Sequence, residues 1–309
     1  MEKKILFILC AFAMTIQVSV AQGFTFKVLA NKGQNKVKKA DGALETLKTG
    51  SLLFDGDELL TSEGCYVGLM HKTGKTTEIR AAGSNKVSDL ASKINTKKTS
   101  AASRYAQFIA AKMNEKEGGI RSRSNTTGAV SRAVAGGSIE VILPSSVDVL
   151  GSEAKVRWRV PEGTEEGTKY VVTIKNIFDE VIYNEETDKL HVDLNFDEMK
   201  NESGLYILSV KQTDNDEVAS GDYGIKKLST ADKPDVVENL SALESELPTD
   251  SPLGKITLAT FYEENDLLLD ALTQYEEAIR LSPEVEDFRT LYEDFLVKTG
   301  IIKVDEEEE

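Results

Sequence analysis

The spacing of hydrophobic and polar residues changes along this chain and divides it into three folded regions. In residues 22–90, short apolar runs alternate with polar residues between Gly and Asp, which predicts a small all-β domain. About seven further short runs in residues 138–229 predict a β-sandwich. In residues 234–300, apolar residues recur every three or four positions, which predicts an all-α helical hairpin or bundle. The expected fold is therefore multidomain, with two β domains followed by helices.

Two segments between these regions have different patterns. Residues 91–117 predict an amphipathic helix whose polar face is basic and whose apolar face carries Tyr105, Phe108, Ile109 and Met113. Such a helix binds an anionic surface or, more commonly, docks on its own domain. Residues 118–137 are rich in Gly, Ser, Thr and Arg, which predicts a flexible linker. Residues 301–309 predict an exposed acidic tail.

The helical region contains one recognisable pair of helices. Ser251 or Asp250 can cap the first helix, which is expected to end near Asn265, and the second is expected to run from about Asp266 to Leu281. Small and bulky residues alternate as two closely packed helices require, at Leu258, Ala259, Tyr262, Ala271, Tyr275, Ala278 and Pro283. This spacing resembles one tetratricopeptide repeat, although Lys255 stands where that family often has Trp.

The resemblance to a tetratricopeptide repeat implies contact with protein. These repeat positions are structural, and the protein-binding residues themselves are unknown. A single repeat cannot bury its own apolar face, so it must pack on another part of this chain or on a partner. Whether one repeat forms a binding groove stays open at this point.

The first β region contains a run from Leu47 to Thr61, LKTGSLLFDGDELLT, that resembles the FecR-like periplasmic domain. In that pattern the glycines occupy turns, and Asp57 is expected to cap its own turn. FecR relatives include transmembrane signal relays. No later stretch of this chain is apolar enough for their membrane helix, so the resemblance implies only the β module.

The second β region resembles an immunoglobulin-like or fibronectin-like domain. Trp158 alternates with charged neighbours and is expected to point into the core. Tyr206, within Gly204 to Leu208, resembles the tyrosine corner of such domains, whose hydroxyl bonds back to the chain. The cysteine pair of antibody domains is missing, which leaves the fibronectin-like variant or a simpler relative of it.

Residues 1–21 indicate export from a bacterial cell. Lys3 and Lys4 precede an apolar run, and Ser19 and Ala21 suit a signal-peptidase cut after Ala21. The protein is therefore expected to be periplasmic or secreted, with no transmembrane segment after cleavage. Cleavage also removes Cys10 and leaves one cysteine, so no intramolecular disulfide is expected.

Charge is distributed unevenly along the chain. Residues 22–137 contain 19 Lys and Arg against 10 Asp and Glu, whereas residues 138–309 contain 16 against 41. Such a division indicates modules with different partners, two halves that attract each other, or surfaces that differ by domain.

Candidate chemistry is sparse. His71 and His191 are the only histidines, and no other metal ligand has a suitable spacing from either. Asp214 to Glu217 could recruit calcium but lacks the glycine and distal glutamate of an EF-hand loop. We expect no catalytic site, no metal and no cofactor.

These patterns favour a non-catalytic protein-interaction or scaffold protein of the cell envelope, with protein partners whose identity stays open, as does the oligomeric state. The alternative is binding of an anionic glycan or lipid surface by the basic amino-terminal half. Nucleic acid is not an expected partner of an exported chain.

Overall fold

A computed structural model describes residues 23–94, 101–115, 138–199, 201–248 and 250–302, with the side chains of 113–115 excepted. The signal peptide, the linker of residues 118–137 and nearly all of the acidic tail predicted from the sequence lie outside these residues. The fold is multidomain: mainly antiparallel β-sheets form the first two-thirds, and a helical region follows. We call these parts the first β unit, the second β unit and the helical unit.

The first β unit consists of two four-stranded sheets with the strand orders β4-β1-β6-β7 and β3-β2-β5-β8. Apolar residues on the inner faces of both sheets form its core, together with Val87 and Leu90 of the short helix α1. The elements are β1 (Phe26–Lys32), β2 (Lys36–Lys38), β3 (Leu44–Thr46), β4 (Leu52–Leu53), β5 (Glu58–Thr61), β6 (Tyr66–His71), β7 (Thr76–Ile79), β8 (Gly83–Lys86) and α1 (Val87–Ser92).

The turn at Asp57 has the form expected from its sequence. The backbone N–H of Phe54 donates to Asp57 Oδ2 at 3.0 Å, and Gly56 between them has a φ of +91°. Asp57 is 4% exposed, and its second interaction is an ion pair with Lys39. Its capping role is confirmed.

The second β unit also has two sheets, ordered β10-β16-β15-β12-β13 and β14-β11-β9. Trp158 is 2% exposed and contacts the edge of Tyr170 in the other sheet, so its predicted inward position is confirmed. The strands are β9 (Glu140–Val141), β10 (Ser146–Val149), β11 (Glu153–Arg159), β12 (Tyr170–Lys175), β13 (Val181–Thr187), β14 (His191–Asn195), β15 (Leu205–Gln212) and β16 (Tyr223–Lys227).

The tyrosine-corner interpretation of Tyr206 is wrong. The Tyr206 ring is buried against Phe196, with 5.1 Å between ring centroids. Its hydroxyl forms no hydrogen bond with any residue that the structure describes, and the corner is defined by that bond. Tyr206 therefore acts as a core aromatic residue.

The helical unit comprises α3 (Pro234–Glu244), α4 (Pro252–Glu264), α5 (Leu268–Leu281) and α6 (Glu286–Lys298). Ser251 caps α4, because its Oγ accepts a hydrogen bond from the Gly254 N–H at 2.7 Å. The second helix of the predicted pair begins at Leu268 rather than Asp266. Asp266 has a φ of +56°, which an α-helix does not allow.

Residues 91–117 were predicted as one helix, but residues 91–92 are the end of α1 and residues 101–115 form a second helix. Helix α1 ends at Ser92, and Leu90 belongs to the core of the first β unit. Helix α2 (Ala101–Glu115) is separate and buries Tyr105 and Ile109 against the helical unit. Its basic side chains contact its own chain, since Arg104 stacks on Tyr105 and Lys112 pairs with Glu263.

Candidate functional site

The apolar face of the predicted repeat is covered by the rest of the chain. Helix α4 is almost entirely buried, since α2, α3, α5 and the first β unit surround it. Of the repeat positions, Pro283 is exposed, whereas the other six are buried: Leu258, Ala259, Tyr262, Ala271, Tyr275 and Ala278. One continuous cluster of buried apolar side chains runs from the first β unit through these helices into the second β unit. The repeat is therefore an internal connection between two β units.

Carboxylates lie at the joints between the units. Glu78 of β7 accepts hydrogen bonds from the Ser251 hydroxyl at 2.7 Å and the Leu253 N–H at 2.9 Å. The Tyr66 hydroxyl donates to the same oxygen at 2.7 Å. A carboxylate of the first β unit thus caps the first turn of α4, where the helix dipole favours negative charge.

Helix α6 contacts the first β unit through a second carboxylate. Asp287 Oδ2 accepts from the Thr49 hydroxyl at 2.8 Å and from the Asn31 N–H at 3.3 Å. Beside it, the buried Phe288 ring meets Tyr66 edge to face, with 5.6 Å between centroids. These contacts attach the carboxyl-terminal helix to β1 and β6.

Asp270 in the first turn of α5 joins the helical unit to the second β unit. Its two carboxylate oxygens accept from the Leu150 N–H at 2.8 Å and the Gly151 N–H at 2.6 Å. Burial raises the pKa of Asp270 to about 6, although these two hydrogen bonds and the charge of Lys227 act in the opposite direction. A Cβ added at Gly151 would lie 2.8 Å from Asp270 Oδ1, so the close approach requires glycine.

Glu276, six residues further along α5, makes a second contact with that unit. It forms an ion pair with Arg157 of β11, and the Tyr292 hydroxyl donates to its other oxygen at 2.9 Å. Burial raises the pKa of Glu276, and the charge and hydrogen bond of Arg157 oppose that effect. Between the two carboxylates, the Thr273 hydroxyl accepts from the Lys155 N–H at 3.1 Å.

Glu263 near the end of α4 joins that helix to three others. Lys112 of α2 and Lys298 of α6 each approach its carboxylate to 2.8 Å, and the Tyr275 hydroxyl donates at 3.1 Å. Burial favours a raised pKa, but hydrogen bonds and charges from the two lysines outweigh it and lower the pKa of Glu263. The oxygens of this group bind donors from the chain itself, which is a structural arrangement.

Two clefts in the first β unit, with volumes of about 240 and 340 Å³, are both lined by Lys39, Ala40 and Asp57. His71 bonds to Thr73 in the first β unit, whereas His191 lies in the second. Among the residues described here, no three His, Cys, Asp or Glu side chains are grouped to hold a metal ion.

An exposed apolar cluster lies at one end of the five-stranded sheet. Ile177 and Phe178 occupy the loop between β12 and β13 and are 51% and 74% exposed, and Val181 follows them at 58%. Leu205, 40% exposed, begins β15, and Ile207 of that strand pairs with Lys175, two residues before Ile177. We call these four residues the hairpin tip. An Ile-Phe pair inside a polar turn is a signal that the sequence interpretation missed.

A second exposed surface is the outer face of the sheet β3-β2-β5-β8. Strand register places Leu44, Lys38, Glu58 and Lys86 in one row across it. Lys36 and Leu60 belong to the next row. The Ser84 hydroxyl, then the charges of Lys38 and Lys86, lower the pKa of Glu58, the single carboxylate of these two rows. We call Lys36, Lys38, Lys86, Leu44 and Leu60 the lysine face.

The positive charge of the amino-terminal half is only partly on the first β unit. Residues 23–94 contain 11 Lys and Arg against 8 Asp and Glu. Most of the surplus seen in the sequence therefore lies after residue 94. The lysine face is a local concentration of positive charge on a nearly neutral domain.

The fold and these contacts define a multidomain protein in which helices join two mainly antiparallel β units. No family model and no curated protein matches the chain. One solved structure with partial similarity is the arginine-specific cysteine proteinase gingipain R, at 12% identity and a TM-score of 0.21. That match covers 29% of this chain and 18% of the proteinase, and carries no argument about fold or activity. None of the described helices combines the length and apolarity needed to cross a membrane.

Proposed function

We propose that this chain is an exported, non-catalytic protein-interaction or scaffold protein of the bacterial cell envelope. The observation that supports this most is the burial of α4 and α5 between both β units, through Glu78, Asp270 and Glu276. The helices then set the relative positions of the two units. In this proposal the first β unit is FecR-like, the second is a fibronectin-like sandwich, and the helical pair is a tetratricopeptide-like repeat used as an internal support.

The contact surface in this proposal is the hairpin tip. Phe178 is the most exposed of the large apolar side chains described, and the three other residues of the hairpin tip are also exposed and apolar. Apolar side chains grouped on a surface indicate a protein contact, and aromatic residues are frequent energetic centres of interfaces. The repeat face, in contrast, is already covered.

A photo-crosslinking amino acid in place of Phe178 tests this proposal in the native cell. Leu190 is a matched control position, because it is 40% exposed and lies in the same β unit outside the hairpin tip. We expect a defined protein adduct from position 178 and none from position 190. Equal, diffuse labelling from both positions would contradict the assignment of the hairpin tip.

Binding of an anionic envelope polymer is a second candidate, because Lys36, Lys38 and Lys86 share one exposed sheet face. Dextran sulfate is a suitable probe, with neutral dextran as its control. Binding through this face should weaken with added salt and when the three lysines are replaced by serine. Binding that responds to neither change would reject this candidate.

A further inference from the structure

We propose that the hairpin tip binds the lysine face of a second copy of this chain, so that copies associate head to tail. The inference rests on the proposed function, since it takes the hairpin tip as the contact surface and names its partner. The observation behind this inference is that the chain exposes two surfaces of opposite charge.

The hairpin tip combines apolar side chains with a net negative charge, because three carboxylates lie near it against Lys175 and Lys226. Asp179 and Glu180 belong to the same loop as Phe178, and Glu202 precedes Leu205; all three carboxylates are exposed. Asp179 pairs with Lys175, but its side chain is 81% exposed, so solvent screens that pair. The second β unit as a whole, residues 138–229, carries 10 Lys and Arg against 19 Asp and Glu.

The lysine face has the complementary composition. Leu44 is 54% exposed and Leu60 is half-buried, and both lie among Lys36, Lys38 and Lys86. Lys38 approaches Glu58 to 3.7 Å. Neither Lys36 nor Lys86 forms an ion pair with any described carboxylate. The positive charges of Lys36 and Lys86 and the leucine side chains beside them are therefore available to bind a partner.

The two surfaces belong to different units, and the helical unit lies between those units. The lysine face is the outer side of the second sheet of the first β unit, whereas the hairpin tip extends from the sheet edge formed by β13 in the second. The ion pairs between units that involve Lys32, Lys112 and Arg157 use residues of neither surface. In a second copy, the carboxylates at the hairpin tip can supply the negative charge that the lysine face lacks.

Because the two surfaces differ, this contact is heterologous. Each copy offers its hairpin tip to one neighbour and its lysine face to another, which gives an open chain or a closed ring. Pairing of two hairpin tips would bring their carboxylates together, and an anionic membrane would repel the same carboxylates. Charge complementarity favours the second copy over both.

Sedimentation velocity of the purified chain starting at Gln22 tests the proposal. We expect an average mass that rises with concentration and falls with added salt. Phe178→Asp and the double change Lys38→Glu, Lys86→Glu should each weaken association by about tenfold or more, since each removes one side of the contact. Leu190→Asp is the control and should associate like the unchanged chain. Fluorescence of the single tryptophan verifies that each variant remains folded.

An equimolar mixture of the two weakened variants gives the sharpest result. One variant still has its lysine face and the other still has its hairpin tip, so the mixture should form one-to-one dimers that neither variant forms alone. A mixture that stays monomeric, or a chain that is monomeric at every concentration, overturns the head-to-tail contact. If photo-crosslinking from position 178 then still captures a different protein, the proposed function stands; if it captures none, both fail.

Discussion

Replacement of Asp270 by Asn should change how stability depends on pH. Asp270 is 3% exposed and accepts two backbone hydrogen bonds from the second β unit. Its pKa is about 6 in the folded protein against an ordinary value of 3.8. A carboxyl group with a raised folded pKa binds its proton more tightly in the folded state. Its contribution to stability is therefore complete below pH 3.8 and is lost as pH rises through about 6.

The size of this effect follows from the two pKa values. The difference between 3.8 and about 6 corresponds to about 3 kcal/mol over the whole range. Between about pH 5 and pH 7, the stability that Asp270 contributes decreases by about 1 kcal/mol. Asn cannot ionise, but its amide also presents a donor to one of the two backbone N–H groups. Asp270→Asn should therefore be less stable than the unchanged protein at pH 5, by about 1–3 kcal/mol, and the gap should narrow towards pH 7.

Denaturant unfolding at a series of pH values measures this gap. Trp158 is the single tryptophan and is buried in the second β unit, so its fluorescence reports unfolding of the unit that Asp270 contacts. Asp214→Asn, in an exposed turn of the same unit, controls for the loss of one carboxylate. A gap between Asp270→Asn and the unchanged protein that stays constant or widens from pH 5 to pH 7 would refute the reasoning.

Three further predictions use the same unfolding assay. Glu263→Gln should lower the free energy of unfolding by about 3 kcal/mol, because it leaves two lysine side chains without their shared carboxylate. Its control is Glu264→Gln on the exposed side of α4, which should change the free energy of unfolding by less than about 0.5 kcal/mol. Gly151→Ala should cost about 1–3 kcal/mol by displacing Asp270, and should cost less in an Asp270→Ala background, where the close contact is gone. Phe288→Ala should cost about 3–5 kcal/mol, since a fully buried ring is lost, and an unchanged denaturation midpoint would show that α6 is not part of the cooperative unit.

Local patterns allowed much of the fold to be predicted, because they depend on neighbouring residues. The cap at Ser251, the turn at Asp57 and the inward Trp158 each follow from side chains within a few positions. Residues 91–117 were predicted as one helix, but the first helix ends at Ser92, and Leu90 of α1 and Tyr105 of α2 belong to different cores. Periodicity indicates which residues are buried but not which core buries them.

The joints between units could not be predicted, because they depend on residues far apart in sequence. Glu78 and Leu253 are separated by 175 positions and meet only in the folded chain. In the sequence the carboxylates of the helical unit look like a solvated surface. The structure instead buries Glu263, Asp270 and Glu276 against donors from other elements. A buried carboxylate is costly unless donors surround it, so each joint tolerates little change in the relative position of its elements. This geometric requirement is the physical basis for holding the two β units at fixed relative positions.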